Sequence, residues 1–371
     1  MKQFLIALLA AAALAVSPLW ARHNDFITVT DYGVVADGKT DVSDAIQSVI
    51  DRHPNRTIYF PDGKYLISKS ICTPADPRKS VDLRLSDYAM IIASPDWDSP
   101  EAMIRLGGKD PYNDININGS NYSFTGGIIE GNVEREHKRT VIGISIDSGR
   151  ETAIRDVSMK RVKIGIRIKR GANYGSSDAD VRDVNIVGTN TRDSIGVLIE
   201  GADNTFTNMR IADVYTGVDA RSAGNCFYNI HPLYVGSYRG WTQAYDSSVG
   251  FKIRSRNNHL IYCYSDHFST GFEFTDTDAS NCNMRDCYVF WYDYKEGTHH
   301  TAIRARGKFN TSVTNFTPSF NKAAPINNIL IEGESGGCGV IRDLRVDTRF
   351  VTNQSEEAYE KYLAGTVTGY N

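Results

Sequence analysis

The chain has 371 residues and a formal net charge of -3, so no overall basic field speaks for a nucleic-acid partner. Aromatic residues make up 11% of it, tyrosine foremost, which suits a surface for sugars without naming a function.

Residues 1–21 read as a leader and not as part of the fold. Lys2 supplies a positive start, Phe4 to Val16 is a short apolar run, and Leu19-Trp20-Ala21 is an acceptable peptidase site. The run is too short for a membrane anchor, and no cysteine near the cleavage point would take a lipid. The expectation is a secreted or periplasmic protein with one domain over residues 22–371 and no stable membrane insertion.

Residues 22–70 form the expected amino-terminal cap and first rungs. Thr40 or Asp41 is placed to cap a helix whose apolar face is Val42, Ala45, Ile46, Val49 and Ile50. Tyr59-Phe60-Pro61-Asp62-Gly63-Lys64-Tyr65 reads as strand, turn and strand. Such a helix would close the end of a stacked coil, where an unpaired strand edge invites association. The stretch Asp31-Tyr32-Gly33-Val34-Val35-Ala36-Asp37-Gly38-Lys39-Thr40-Asp41, then Ala45-Ile46-Gln47, then Ile58 to Ile67, resembles the amino-terminal signature of the pectate-lyase superfamily, found also in phage tailspikes and some glycosidases. It departs from that signature at Val42, where the family usually has a second acidic residue. The resemblance implies an all-β fold, a right-handed single-stranded parallel β-helix with an N-terminal capping helix. The motif's acids are read as structural.

Pro74, Pro77, Pro95, Pro100 and Pro111 break any period between 72 and 141, so early, imperfect rungs are expected there, becoming regular over 126–347. In that region two patterns alternate. One is Ile142-Gly143-Ile144-Ser145-Ile146, repeated at Ile164, Ile195, Thr216, Val249, Thr270 and Thr301, with glycine second in six of the seven copies. The other places aliphatic residues first, fourth and sixth, as in Val181-Arg182-Asp183-Val184-Asn185-Ile186. The shortest glycine-to-glycine step, 196 to 217, is 21 residues, too short for a helical repeat and suited to a rung of short strands. Stacking at roughly 4.8 Å would make Val157, Val184, Met209, Ile230, Cys263, Cys287, Phe316 and Leu344 one interior ladder, and Asn204, Asn225 and Asn258 another at a turn. The six cysteines permit disulfides, yet Cys263 and Cys287 fall on the interior ladder and are read as buried thiols. Residues 348–371 form the expected carboxy-terminal cap, with a short helix at Ser355 to Leu363.

A filled interior leaves chemistry to the outer surface. The outward row of the glycine strand is Ser145, Arg167, Leu198, Asp219, Lys252, Glu273 and Arg304, a charged strip that favours a substrate carrying carboxylates or sulfates. Two insertions leave one corner ahead of that strand. The first holds His231, Tyr238, Trp241 and Tyr245, the second Trp291 and Tyr292, and together they would make aromatic walls two rungs apart, with Asp266 and His267 between them. For an inverting glycosidase, carboxyls roughly 6.5–9.5 Å apart are needed, which makes Asp219 with Glu273, or Asp213 with Asp266, the natural pairs. Hydrolysis of an acidic polysaccharide is the reading preferred. The second is β-elimination, with Lys252, His267 or Tyr245 as base and Arg221 or Arg254 neutralising a uronate carboxylate. The third is a non-catalytic carbohydrate-binding or structural coil, as a monomer or a homotrimer. The catalytic motifs of polygalacturonases and the calcium-binding aspartates of extracellular pectate lyases are not recognisable, so no cofactor or metal site is expected, and calcium stays an open alternative without a motif behind it.

Overall fold

A computed structural model describes residues 26–109, 123–133, 139–148, 151–169, 177–234, 243–275, 279–291, 300–308, 310–320, 331–334 and 339–344. The expected leader and the expected helix at Ser355 to Leu363 lie outside these residues. The described chain is a right-handed parallel β-helix whose paired strands all run parallel, in one sheet of ten strands and one of nineteen. No helix among the described residues is long and apolar enough to cross a membrane.

The ten-stranded sheet is built from the glycine pattern. Ile142–Ile146, Ile164–Ile168, Ile195–Ile199, Thr216–Ala220, Val249–Ile253, Thr270–Thr275 and Thr301–Lys308 stack in that order. Their glycines face a crowded wall. A Cβ added at Gly217 would lie 2.4 Å from the carbonyl oxygen of Gly250 and 2.4 Å from Pro232 Cβ. At Gly196 it would lie 2.3 Å from Ile211 Cγ2. Only a residue without a side chain lets the facing strand approach this closely.

The second pattern forms strands that bend once. Asp180–Val187, Thr205–Ala212 and Cys226–Leu233 each hold one residue in the left-handed region, Asp183, Asn208 and Asn229, at φ 56°, 54° and 55°. Asn and Asp tolerate that conformation better than other side chains. The bend splits each strand into two faces, so a rung has three sides counting the glycine strand. Asn229 donates to Asn208 Oδ1 at 3.1 Å along this corner. At the corner after the glycine strand, Asn204 donates to Asn225 Oδ1, and Asn225 to Asn258 Oδ1, both at 2.9 Å. All three are buried, as the expected amide ladder requires.

The interior ladder also forms. Val184 pairs with Met209 and Met209 with Ile230, and Cys263, Cys287 and Phe316 are at most 1% exposed. Cys263 and Cys287 are free thiols, and burial pushes the Cys263 thiol well up.

Helix α1, Ser43–Arg52, buries Ile46, Val49 and Ile50 against the first rungs. Its cap differs from the expected one. Val42 is the N-cap residue and supplies no side-chain bond, while Asp41 Oδ1 accepts from Ser43 N at 3.0 Å and Ser43 Oγ at 2.6 Å. Gln47 on the same helix donates to Cys72 O at 2.9 Å and accepts from Cys72 N at 2.8 Å, occupying the edge backbone of the first glycine-sheet strand, Ile71–Pro74. The helix therefore closes that edge. Stacking is regular earlier than the prolines suggested, since Arg56–Phe60 pairs in register with Val81–Leu85 and Gly63–Ile67 with Ala89–Ala93. Pro77, Pro95 and Pro100 sit between strands, where they do not interrupt the ladder.

Candidate functional site

The charged strip is continuous on the outer face of the ten-stranded sheet. Register pairs Ser145 with Arg167, Arg167 with Leu198, Leu198 with Asp219, Asp219 with Lys252, Lys252 with Glu273, and Glu273 with Arg304. Asp219 and Glu273 thus stand two rungs apart with Lys252 between them, as expected.

Their surroundings differ from those expected of an acid and a base. Asp219 Oδ1 accepts from Arg254 Nε at 2.6 Å, and Oδ2 accepts from Arg221 Nε and Nη2 at 3.1 and 3.0 Å and from Arg254 Nη2 at 3.2 Å. Glu273 lies 3.3 Å from Lys252 Nζ, 3.2 Å from Arg306 Nη2 and 3.9 Å from Arg304 Nη1. The two carboxylate side chains are 2% and 3% exposed, whereas those of Arg221, Arg254 and Arg306 are 42%, 39% and 59% exposed. The acids are the roots of this strip and the arginines its surface. Every hydrogen bond to Asp219 comes from an arginine, and its side chain is too buried to meet a sugar hydroxyl. The buried Asp147 likewise holds Arg105 and Lys169, whereas Glu200 pairs with Arg167 nearer the surface. Eight lysines and arginines answer to five carboxylates across Glu101, Asp147, Glu200, Asp219 and Glu273, so the face is positive on a chain of negative net charge.

Around the corner, on the second half of the bent strands, lies Asp266. Its Oδ2 accepts from the Tyr264 hydroxyl at 3.0 Å and lies 3.5 Å from His231 Nε2, and its Oδ1 meets His267 Nδ1. Burial pushes this carboxyl up, but the His231 ring beside it, the hydrogen bond from His267 with the charge of that ring, and the Tyr264 hydroxyl together bring it below the usual carboxylate range. A carboxyl lowered in the folded state stabilises the fold above the ordinary aspartate value of about 3.9 and loses that contribution as the pH falls through its folded value. Asp266→Asn is therefore expected to lower the melting temperature at neutral pH, with the gap to the parent closing in acid. A gap independent of pH would reject this account. Burial, followed by the Asp266 charge, raises Tyr264 above its ordinary value, so it stays a phenol.

Several expected site residues are placed elsewhere. Asp213 is buried at the third corner in the left-handed region, φ 55°, and register pairs Leu233 with both Ala212 and Asp266. Asp213 therefore falls one residue out of step with Asp266 and is not its partner. Tyr245 is fully buried, its hydroxyl donating to His267 O at 2.6 Å, and Trp291 is 2% exposed, its Nε1 donating to Phe268 O at 2.7 Å. Both rings pack the base of the insertions and cannot stack on a sugar. Tyr238, Trp241 and Tyr292 lie outside the described residues. His231 is half-buried, its ring stacked on Tyr264 at 4.1 Å.

Sequence reasoning missed Tyr264 and Tyr288, whose rings stack at 4.0 Å. The signal was present in their position directly after the interior-ladder residues Cys263 and Cys287, where alternation turns a side chain outward. Among the described residues no group of three or more His, Cys, Asp or Glu is placed to hold a metal ion.

Comparison with known proteins follows this geometry. A family profile described as rhamnogalacturonase A/epimerase, pectate lyase-like matches residues 26–92. No curated protein sequence matches the chain. Among solved structures, the tailspike protein of E. coli bacteriophage HK620 is similar at a TM-score of 0.61 and 11% identity, over 90% of this chain and 68% of that one. The A-module of a mannuronan C-5 epimerase from Azotobacter vinelandii gives 0.52 and 14%, over 87% and 95%. A Geobacillus virus E2 protein gives 0.53 and 14%, over 85% of this chain, which spans 62% of the viral protein's length.

Proposed function

We propose that this pectate-lyase-like β-helix protein is exported, binds an acidic, uronate-containing polysaccharide along the strip of the ten-stranded sheet, and cleaves it there by β-elimination. The observation that carries this reading is the burial of Asp219 and Glu273 beneath exposed arginines. Asp219 and Glu273 hold Arg221, Arg254 and Arg306 in fixed poses at the surface, which suits a polymer bearing carboxylates. Such arginines can neutralise a uronate carboxylate while a proton leaves the neighbouring carbon. Of the three candidate bases, Tyr245 and His267 are buried and Lys252 alone stands on the strip. Hydrolysis fits less well, because an acid and a base with free oxygens are needed on opposite sides of the bond. A tailspike and a mannuronan epimerase among the similar folds support a polysaccharide as the ligand.

Incubation with polygalacturonate, alginate and other polyuronates tests the proposal. Ultraviolet absorbance from unsaturated chain ends is the expected result. New reducing ends without that absorbance would move the reaction to hydrolysis, and retention without product would leave a binding surface alone.

A further inference from the structure

The outward row on the second half of the bent strands carries an aromatic stack that ends abruptly. His231, Tyr264 and Tyr288 lie ring on ring, with centroids 4.1 and 4.0 Å apart and planes within 17° and 16°. The residue in register above Tyr288 is Thr317, and in the adjacent outward row Phe290 is followed by Ser319. Both steps replace a ring by a small hydroxyl side chain, so the surface drops by the depth of a ring and opens a groove of about 450 Å³. One face of Tyr288 is covered by Tyr264, and the other looks along the coil axis into this groove.

The walls fix the chemistry of what fits. Tyr288 and Tyr262 are 37% and 58% exposed and offer apolar ring surface. Asp286 and Asn315 follow Tyr262 along the left-handed corner, Asn315 Nδ2 donating to Asp286 Oδ1 at 2.6 Å, and Thr317 follows Tyr288 in its own row. Among the described residues no lysine or arginine lines the groove, in contrast to the strip of the ten-stranded sheet. A ring face beside a carboxylate, an amide and a hydroxyl matches a pyranose, whose axial C–H groups stack on an aromatic ring while its edge hydroxyls hydrogen-bond. Arg285 Nε lies 3.4 Å from Asp286 Oδ2 and balances its charge, so the charges beside the groove cancel and favour a sugar that carries none. We infer that the ledge formed by Tyr288 over Thr317 binds a neutral pyranose unit, at a site separate from the arginine strip and one face away from it.

Affinity electrophoresis of the full chain in gels containing galactan, glucomannan or dextran tests this independently of the proposed cleavage. The parent protein is expected to be retarded in at least one neutral gel. Tyr288→Ala should weaken that binding at least ten-fold, and Tyr288→Phe should preserve it. Arg254→Ala should leave neutral-gel retardation intact while losing retardation by polygalacturonate. Tyr288 is partly exposed, and a melting curve shared by the parent and Tyr288→Ala checks the fold. No retardation in any neutral gel, equal retardation of parent and Tyr288→Ala, or loss of neutral binding on Arg254→Ala would each overturn the inference. Failure of polygalacturonate binding alone would instead strike at the strip.

Discussion

Lys252→Gln is expected to lower kcat on a polyuronate by roughly 10²- to 10⁴-fold, the usual share of a positioned proton-transfer group, while leaving substrate affinity within a few-fold. Burial eliminates the other two candidate bases. Tyr245 is enclosed with its hydroxyl given to a backbone carbonyl, and His267 spends Nδ1 on Asp266 with its side chain 4% exposed. Lys252 has a side chain 26% exposed and an ammonium 3.3 Å from Glu273, between rungs whose arginines face outward. Arg254→Gln should act differently, raising KM and lowering kcat together, because it removes charge that meets the uronate both before and during reaction. Steady-state kinetics of the two variants separate the roles. Unchanged turnover in Lys252→Gln would remove it as the base.

The second large effect is on stability. Gly217→Val should cost about 3 kcal/mol or more, and Gly217→Ala somewhat less, read as a fall in the denaturant midpoint at constant slope. The added Cβ would meet the Gly250 carbonyl and Pro232 at 2.4 Å each. The carbonyl belongs to the strand paired through Thr216–Val249 and Val218–Phe251, so it cannot retreat without breaking that register. Flexible side chains relieve clashes cheaply, and backbone does not. A valine variant as stable as the parent would show that the glycine spacing is not set by this approach.

Much of the fold was legible because a coil repeats its physics. Alternation in the glycine strand, the ladder through Met209 and Ile230, and the asparagines at 204, 225 and 258 each state the same stacking in separate residue types. The early rungs were obscured because Arg56–Phe60 and Val81–Leu85 pair without a glycine signature and are joined by proline-bearing connections. The candidate site was legible only in its placement. Sequence put Asp219, Lys252 and Glu273 on one ribbon, but a row of letters does not say which member of an ion pair lies beneath the other. At the third corner Asp213 stands four residues ahead of Gly217 and Asp266 five ahead of Gly271, so the left-handed Asp213 aligns with the left-handed His267 and not with Asp266. For Tyr245 and Trp291, composition suggested walls, and packing made them foundation.

The amide file through Asn204, Asn225 and Asn258 has a direction, Asn204 donating to Asn225 and Asn225 to Asn258. Such a file can be lengthened only by whole turns that bring their own asparagine, glycine and bend. Loss or gain of a single residue within a paired strand would shift its neighbours out of alignment, whereas the connection between strands can lengthen, as it does between Asn225 and Asn258, and duplication of a complete turn would leave every neighbour satisfied. The length of the binding face is thereby a counted quantity, adjustable in discrete increments without redesign of the interior.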